Sequence, residues 1–161
     1  MKTLILLRHA KTERESPDGD FGRSLTRRGW ADAERMGKEM RELGLDFSLV
    51  LASPARRVVE TIDGLGDLAP KFDQRIYNAS TSQLLDVVRS ADDNADSVLL
   101  VGHNPSMERL AAQLTGDDKD RLVEGMPTAA LAEIKLPIEH WRDVADGKGR
   151  LVRFIKPKDL A

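Results

Sequence analysis

The chain has 161 residues, enough for one sizeable core and short for two, so a single domain over 1–161 is expected. Its 25 Lys and Arg against 27 Asp and Glu leave a net charge of −2, which excludes the broad basic field that nucleic acid or an anionic membrane surface would attract. There is no cysteine, so disulfides, thiol nucleophiles and thiolate metal sites are excluded together, in keeping with a reducing cytoplasm.

The first element is the apolar run Leu4 to Leu7, stopping abruptly on Arg8-His9. It is too short for a signal-peptide core, and no later run approaches a membrane span, so a cytoplasmic protein, monomeric or weakly dimeric, is expected. A short apolar run with a polar stop suits a strand buried on both faces that delivers two polar side chains to its end. Glu13 to Ser24 carries Pro17, Gly19 and Gly22 and reads as a loop over the end of the sheet. Thr26 can cap a helix with Trp30, Ala33, Gly37 and Met40 on its inner stripe and Gly44 as its stop. Phe47 to Ala52 reads as a second strand, and Ser53-Pro54 as a cap with proline at the first helical position, which puts Arg56 in the first turn.

A short third strand is expected around Ile76-Tyr77, then a helix from about Thr81 to Arg89 with Leu84, Leu85 and Val88 inward. Ser97 to Val101 is the fourth strand, ending on Gly102-His103, with Asn104-Pro105 opening a helix that carries Met107, Leu110, Ala111 and Leu114 inward. Gly116 to Gly125 is charged and reads as a mobile connection, while Thr128 to Leu136 and Leu151 to Ile155 read as two closing strands. Alternating strands and helices predict a three-layer α/β/α sandwich, with a mainly parallel sheet and an antiparallel hairpin at one edge.

Parallel strands would place Arg8-His9, Ser53-Pro54-Ala55-Arg56-Arg57 and Gly102-His103-Asn104-Pro105 at one side of the sheet, in the crevice where such folds bind ligands. Two of these ends start helices, whose free N–H groups favour an anion. Arginine's planar fork suits phosphate oxygens, and a neutral ligand would leave Arg8 and Arg56 desolvated without a partner. The pattern therefore asks for a phosphoryl group.

Leu7-Arg8-His9-Ala10, Ser53-Pro54-x-Arg56 and Val101-Gly102-His103-Asn104 resemble the histidine phosphatase superfamily, with its phosphoglycerate-mutase-like fold. The short length, Arg-His-Ala-Lys and Tyr77-Asn78-Ala79-Ser80 resemble most its small SixA-type phosphohistidine phosphatases. The resemblance implies that His9 is the nucleophile that becomes phosphorylated and that Arg8, Arg56 and His103 hold the phosphoryl oxygens. A neutral imidazole is available near neutral pH if its other nitrogen is held as a donor, and His103 can serve protonated, as a donor.

Two departures stand out. The position after the histidine, usually glycine in the family, is Ala10, which is harmless if the turn needs no positive φ. The glutamate that many members use as general acid has no counterpart in Tyr77-Asn78-Ala79-Ser80. Asp20 is the expected substitute acid, because Asp20 to Leu25 resembles the loop in the short phosphatases where an aspartate precedes an arginine by three positions; the plainer alternative is a solvated loop aspartate. Arg23 and Asn104 are expected to help bind substrate. Lys11 and Arg57 read as solvated neighbours of the pocket, His140 as surface, and Thr128 as a strand-capping hydroxyl. A zinc site from His9, His103 and a carboxylate is disfavoured because ligand spacing is absent and arginines repel a cation, so no metal or cofactor is expected.

The leading expectation is a metal-independent phosphatase acting on phosphohistidine of a protein, since an imidazole leaves without the strong acid an alkoxide demands. A phosphatase or mutase for a small phosphomonoester is the first alternative, although a mutase needs closing insertions that 161 residues hardly hold. A non-catalytic phosphate-binding module is the second, and the presence of His9 argues against it.

Overall fold

The computed structural model describes residues 1–116, 119–122 and 124–160. Strand β1 (Lys2–Arg8) is central, followed by helix α1 (Arg27–Glu42), β2 (Leu49–Ala52), α2 (Arg56–Leu65), β3 (Pro70–Phe72), α3 (Thr81–Arg89), β4 (Ser97–Gly102), α4 (Ser106–Leu114), the single-turn α5 (Lys119–Leu122), β5 (Leu131–Leu136) and β6 (Arg150–Ile155). The sheet order is β3-β2-β4-β1-β5-β6. The first four are parallel, while β5 runs antiparallel to both β1 and β6.

Alternation along β1 and β4 explains the layers. Leu4, Leu6, Val98 and Leu100 bury into one cluster with α3 and α4, and Ile5, Leu7, Leu99 and Val101 into the other with α1 and α2. Helix α1 begins where expected, with the Thr26 side chain accepting from the Gly29 N–H at 3.0 Å. A Cβ on Gly29 would fall 2.1 Å from the Lys11 carbonyl oxygen, so glycine lets this helix lie directly against the segment after β1. Helix α3 spans the expected residues, its start fixed by a capping box between Ser80 and Gln83. Among the described residues no helix is long and apolar enough to cross a membrane.

Three elements differ from expectation. The third strand is Pro70–Phe72 at the sheet edge, and Gln74–Ile76 form a 3-10 turn instead. Helix α2 starts two residues beyond the expected proline, with Ala55 as its N-cap and the Ser53 Oγ accepting the Ala55 N–H at 3.2 Å ahead of the helix. Within the Gly116 to Gly125 connection one turn is helical, and 117, 118 and 123 lie outside the described residues.

Candidate active site

Strand register assembles the site. β1 pairs with β4 as Leu7↔Val101 and Arg8↔Gly102, so the next residues, His9 and His103, stand side by side with ring centroids 5.4 Å apart. The His9 N–H donates to the Gly102 carbonyl at 3.1 Å, and on the other flank the Ala129 N–H donates to the carbonyls of Arg8 and His9 at 3.1 and 3.0 Å. The polar end of β1 is thus held from both neighbours. β2 pairs with β4 as Ala52↔Val101, which brings the Ser53 Oγ to 2.8 Å from His103 Nε2.

His9 Nδ1 lies 2.8 Å from the Ala10 carbonyl oxygen. A carbonyl only accepts, so Nδ1 carries the hydrogen and Nε2 keeps its lone pair. Ala10 has no positive φ, as the sequence required, and its N–H donates to the Thr61 Oγ1 at 3.0 Å. Burial pushes the His9 pKa down to about 3, with His103, Arg57 and Arg8 adding to the effect against the Ala10 carbonyl. His103 is pushed down to about 4 by burial and then by Arg57. Burial and the neighbouring arginines thus favour the neutral form of both rings near pH 7, against the protonated donor role that the sequence offered for His103.

The arginine from α2 that reaches the cavity is Arg57, not Arg56. Arg56 is 57% exposed and pairs with Glu60 at 3.0 Å, one turn along the outer face. Arg57 is 7% exposed and donates to the Asp20 carbonyl oxygen at 2.8 Å and its carboxylate at 3.1 Å. Helical phase is the reason: α2 buries Val58, Ile62 and Leu65, and Arg57 with Thr61 continues that face while Arg56 with Glu60 lies off it. That spacing, Arg57-x-x-x-Thr61 beside an apolar stripe, was the signal available in the sequence.

Asp20 sits on a 3-10 turn (Asp20–Gly22) of the loop over the sheet end. Its carboxylate accepts from the Tyr77 hydroxyl at 2.6 Å, Arg57 at 3.1 Å and Arg23 at 3.1 Å. These donors, Tyr77 foremost, hold its pKa down to about 2. The expected proton donor is instead an ionised acceptor, and the Tyr77 hydroxyl, raised by Asp20, is committed to it. Tyr77, which the sequence reading gave no role, also packs edge-on against His103 with centroids 5.7 Å apart.

The remaining expected residues edge the same cavity, whose volume is about 580 Å³. Arg23 reaches it with its donors engaged by Asp20, the Glu13 carbonyl and Thr12. Asn104 lines the cavity, its amide donating to the Met126 carbonyl at 2.8 Å and its Oδ1 accepting the Glu108 N–H in the first turn of α4 at 3.2 Å. Arg8 donates to the Met126 carbonyl at 2.9 Å. Thr128 and Lys11 also line the wall, whereas His140 is exposed beside Asp93. Arg8 Nε, Arg57 Nε and His103 Nδ1 are buried without a partner among the described residues. Buried polar atoms are rarely left so, and the guanidinium groups of Arg8 and Arg57 line a cavity suited to an anion.

The chain is 33% identical to an uncharacterised protein of Mycobacterium tuberculosis (strain H37Rv), over 94% of this chain and all of that one. It is 28% identical to a 2,3-bisphosphoglycerate-dependent phosphoglycerate mutase of Rhizobium etli, over 74% of this chain and 47% of the mutase. Among solved structures, a proposed phosphohistidine phosphatase SixA from Agrobacterium tumefaciens superposes with a TM-score of 0.83 at 29% identity, covering 97% of this chain and 98% of that one. Residues 4–80 match the model of the histidine phosphatase superfamily (branch 1), a stretch that holds Arg8, His9, Asp20, Ser53, Arg57 and Tyr77. With the strand ends that gather these side chains, the matched order places this chain in the histidine phosphatase superfamily.

Proposed function

We propose that this protein is a metal-independent phosphatase that removes the phosphoryl group from phosphohistidine of a protein, through an intermediate phosphorylated on His9. The observation that carries the reading is the fixed Nδ1–H of His9 on the Ala10 carbonyl, which leaves Nε2 as an unprotonated nucleophile among Arg8, Arg57 and His103. The Nε2 lone pair forms a bond to phosphorus as the bond to the substrate nitrogen breaks, and that nitrogen keeps the electron pair and takes a proton from solvent. Water then bonds to phosphorus, the bond to Nε2 breaks with its pair returning to the ring, and orthophosphate leaves. In both steps Arg8 and Arg57 stabilise the charge spread over the equatorial oxygens without rearranging, which is the work a metal would otherwise do.

The state of Asp20 supports phosphohistidine over an alkyl ester. Its carboxyl is ionised, with a pKa of about 2, so the cavity offers little to protonate a departing alkoxide. An imidazole, whose conjugate acid titrates near neutrality, departs without that help. A mutase is less well supported, since the aligned region is 47% of the mutase relative.

The test is to incubate the protein with a phosphohistidine peptide and with simple phosphomonoesters, following phosphate release and trapping the enzyme in alkali. Faster release from the peptide, with label retained on His9, is expected. Turnover of the esters alone, or no His9 adduct, would overturn the reading.

A further inference from the structure

A phosphate group, about the bulk of three waters at ~30 Å³ each, fills less than a fifth of the 580 Å³ cavity. Its walls carry five cationic side chains, Arg8, Lys11, Arg14, Arg23 and Arg57, against the single carboxylate of Asp20. Asp20 compensates one of them, and a phosphoryl dianion would offset two more. Charge remains, and it sits at Lys11 and Arg14: neither side chain makes a hydrogen bond or ion pair among the described residues.

Their place is built into the fold. The Lys11 carbonyl accepts the Thr26 N–H at 2.9 Å, and the Glu13 N–H donates to the Ser24 carbonyl at 2.9 Å, pinning the segment on either side of Thr12. Gly29 lets α1 close directly onto Lys11. Glu13 and Glu15 border a hollow that continues past Lys11 and Arg14, but they do not line the main cavity and do not come within ion-pairing distance of either cation.

We propose that Lys11 and Arg14 form a second anion subsite, which recognises a carboxylate or phosphate carried by the substrate beside the phosphoryl group that is transferred. This rests on the phosphatase reading above. The second anion can come from an acidic side chain flanking a phosphohistidine, or from a further acidic group on a small phosphomonoester. Two exposed pairings multiply to about a tenfold preference, which salt should erode.

Calorimetry with inorganic triphosphate and orthophosphate tests the subsite without turnover. In the parent, triphosphate should bind about tenfold more tightly at low salt, and the double variant Lys11→Gln/Arg14→Gln should reduce the gap below threefold. Equal affinities in the parent, or a gap that survives in the variant, overturn the subsite while leaving the phosphatase reading intact. Failure of both anions to bind overturns both readings. Turnover then separates the sources: kcat/KM is compared for phosphohistidine peptides with acidic or neutral flanks, and for phosphomonoesters with or without a carboxylate. The pair whose ratio collapses in the double variant identifies the source, and two unchanged ratios overturn the proposal.

Discussion

Replacing Arg57 and Arg56 separately by alanine tests the assignment of the arginine on α2. Arg57 is 7% exposed and lines the cavity with His9 and His103, so a phosphoryl group would gain a charge-assisted contact there. Losing such a preorganised donor costs about 3–4 kcal/mol at the transition state, or roughly 10²–10³ in kcat/KM. Arg56 is 57% exposed and its pairing with Glu60 is of the i,i+4 surface kind, worth about 0.3–0.5 kcal/mol. Its removal should leave kcat/KM within twofold. The assay is phosphate release from a phosphohistidine peptide, with orthophosphate binding measured on protein shown folded by its urea midpoint, and Arg57→Lys as a variant that keeps the charge but loses the fork. A tenfold loss in Arg56→Ala beside a nearly normal Arg57→Ala would refute the placement.

Four further outcomes are expected. His9→Ala should abolish turnover while still binding orthophosphate, because it removes the nucleophile and leaves the cations; activity within tenfold of the parent, measured by phosphate release, would contradict the role of His9. Asp20→Asn should tighten orthophosphate by about fivefold, ~1 kcal/mol for a half-exposed carboxylate that competes for Arg57, and should slow a phosphomonoester little; a large selective loss on the ester would restore Asp20 as an acid. His9 and His103, at about 3 and about 4 against 6.5 in the unfolded chain, make the unfolded state bind more protons below pH 6.5. Stability should therefore rise with pH between about 4.5 and 6.5, by up to about 1.4 kcal/mol per pH unit for each ring, and urea midpoints of His9→Ala should show the slope roughly halved; a flat profile would mean the rings are not buried neutral. Treatment with a chelator should leave the rate unchanged, and loss of activity recovered on adding zinc would reinstate a metal.

The three polar strand ends were legible because local chemistry marks them: Leu4 to Leu7 and Ser97 to Val101 are apolar runs closed by Arg8-His9 and Gly102-His103, patterns that survive any tertiary context. Thr26 announced its helix for the same reason, since a cap acts within four residues, and Leu84, Leu85 and Val88 announced α3 by their inward spacing. Strand β3 was misplaced because an exposed edge of three residues, Pro70–Phe72, carries almost no periodicity and exists through its pairing with β2. The site followed the same division. His9 and His103 face one another through strand register, and the sequence alone named both. Choosing Arg57 over Arg56 rested on the phase of α2 against the core, which the Arg57-x-x-x-Thr61 spacing carries in outline and packing decides. The state of Asp20 needed more still. Its partners Tyr77 and Arg57 are 57 and 37 residues away in sequence, and only folding brings them to within 2.6 and 3.1 Å, where their donors turn an expected acid into a fixed anion. Hydrogen bonds and charges act over a few ångströms in space, so the chain named most of the groups, while tertiary packing decided which arginine enters the cavity and which proton each group keeps.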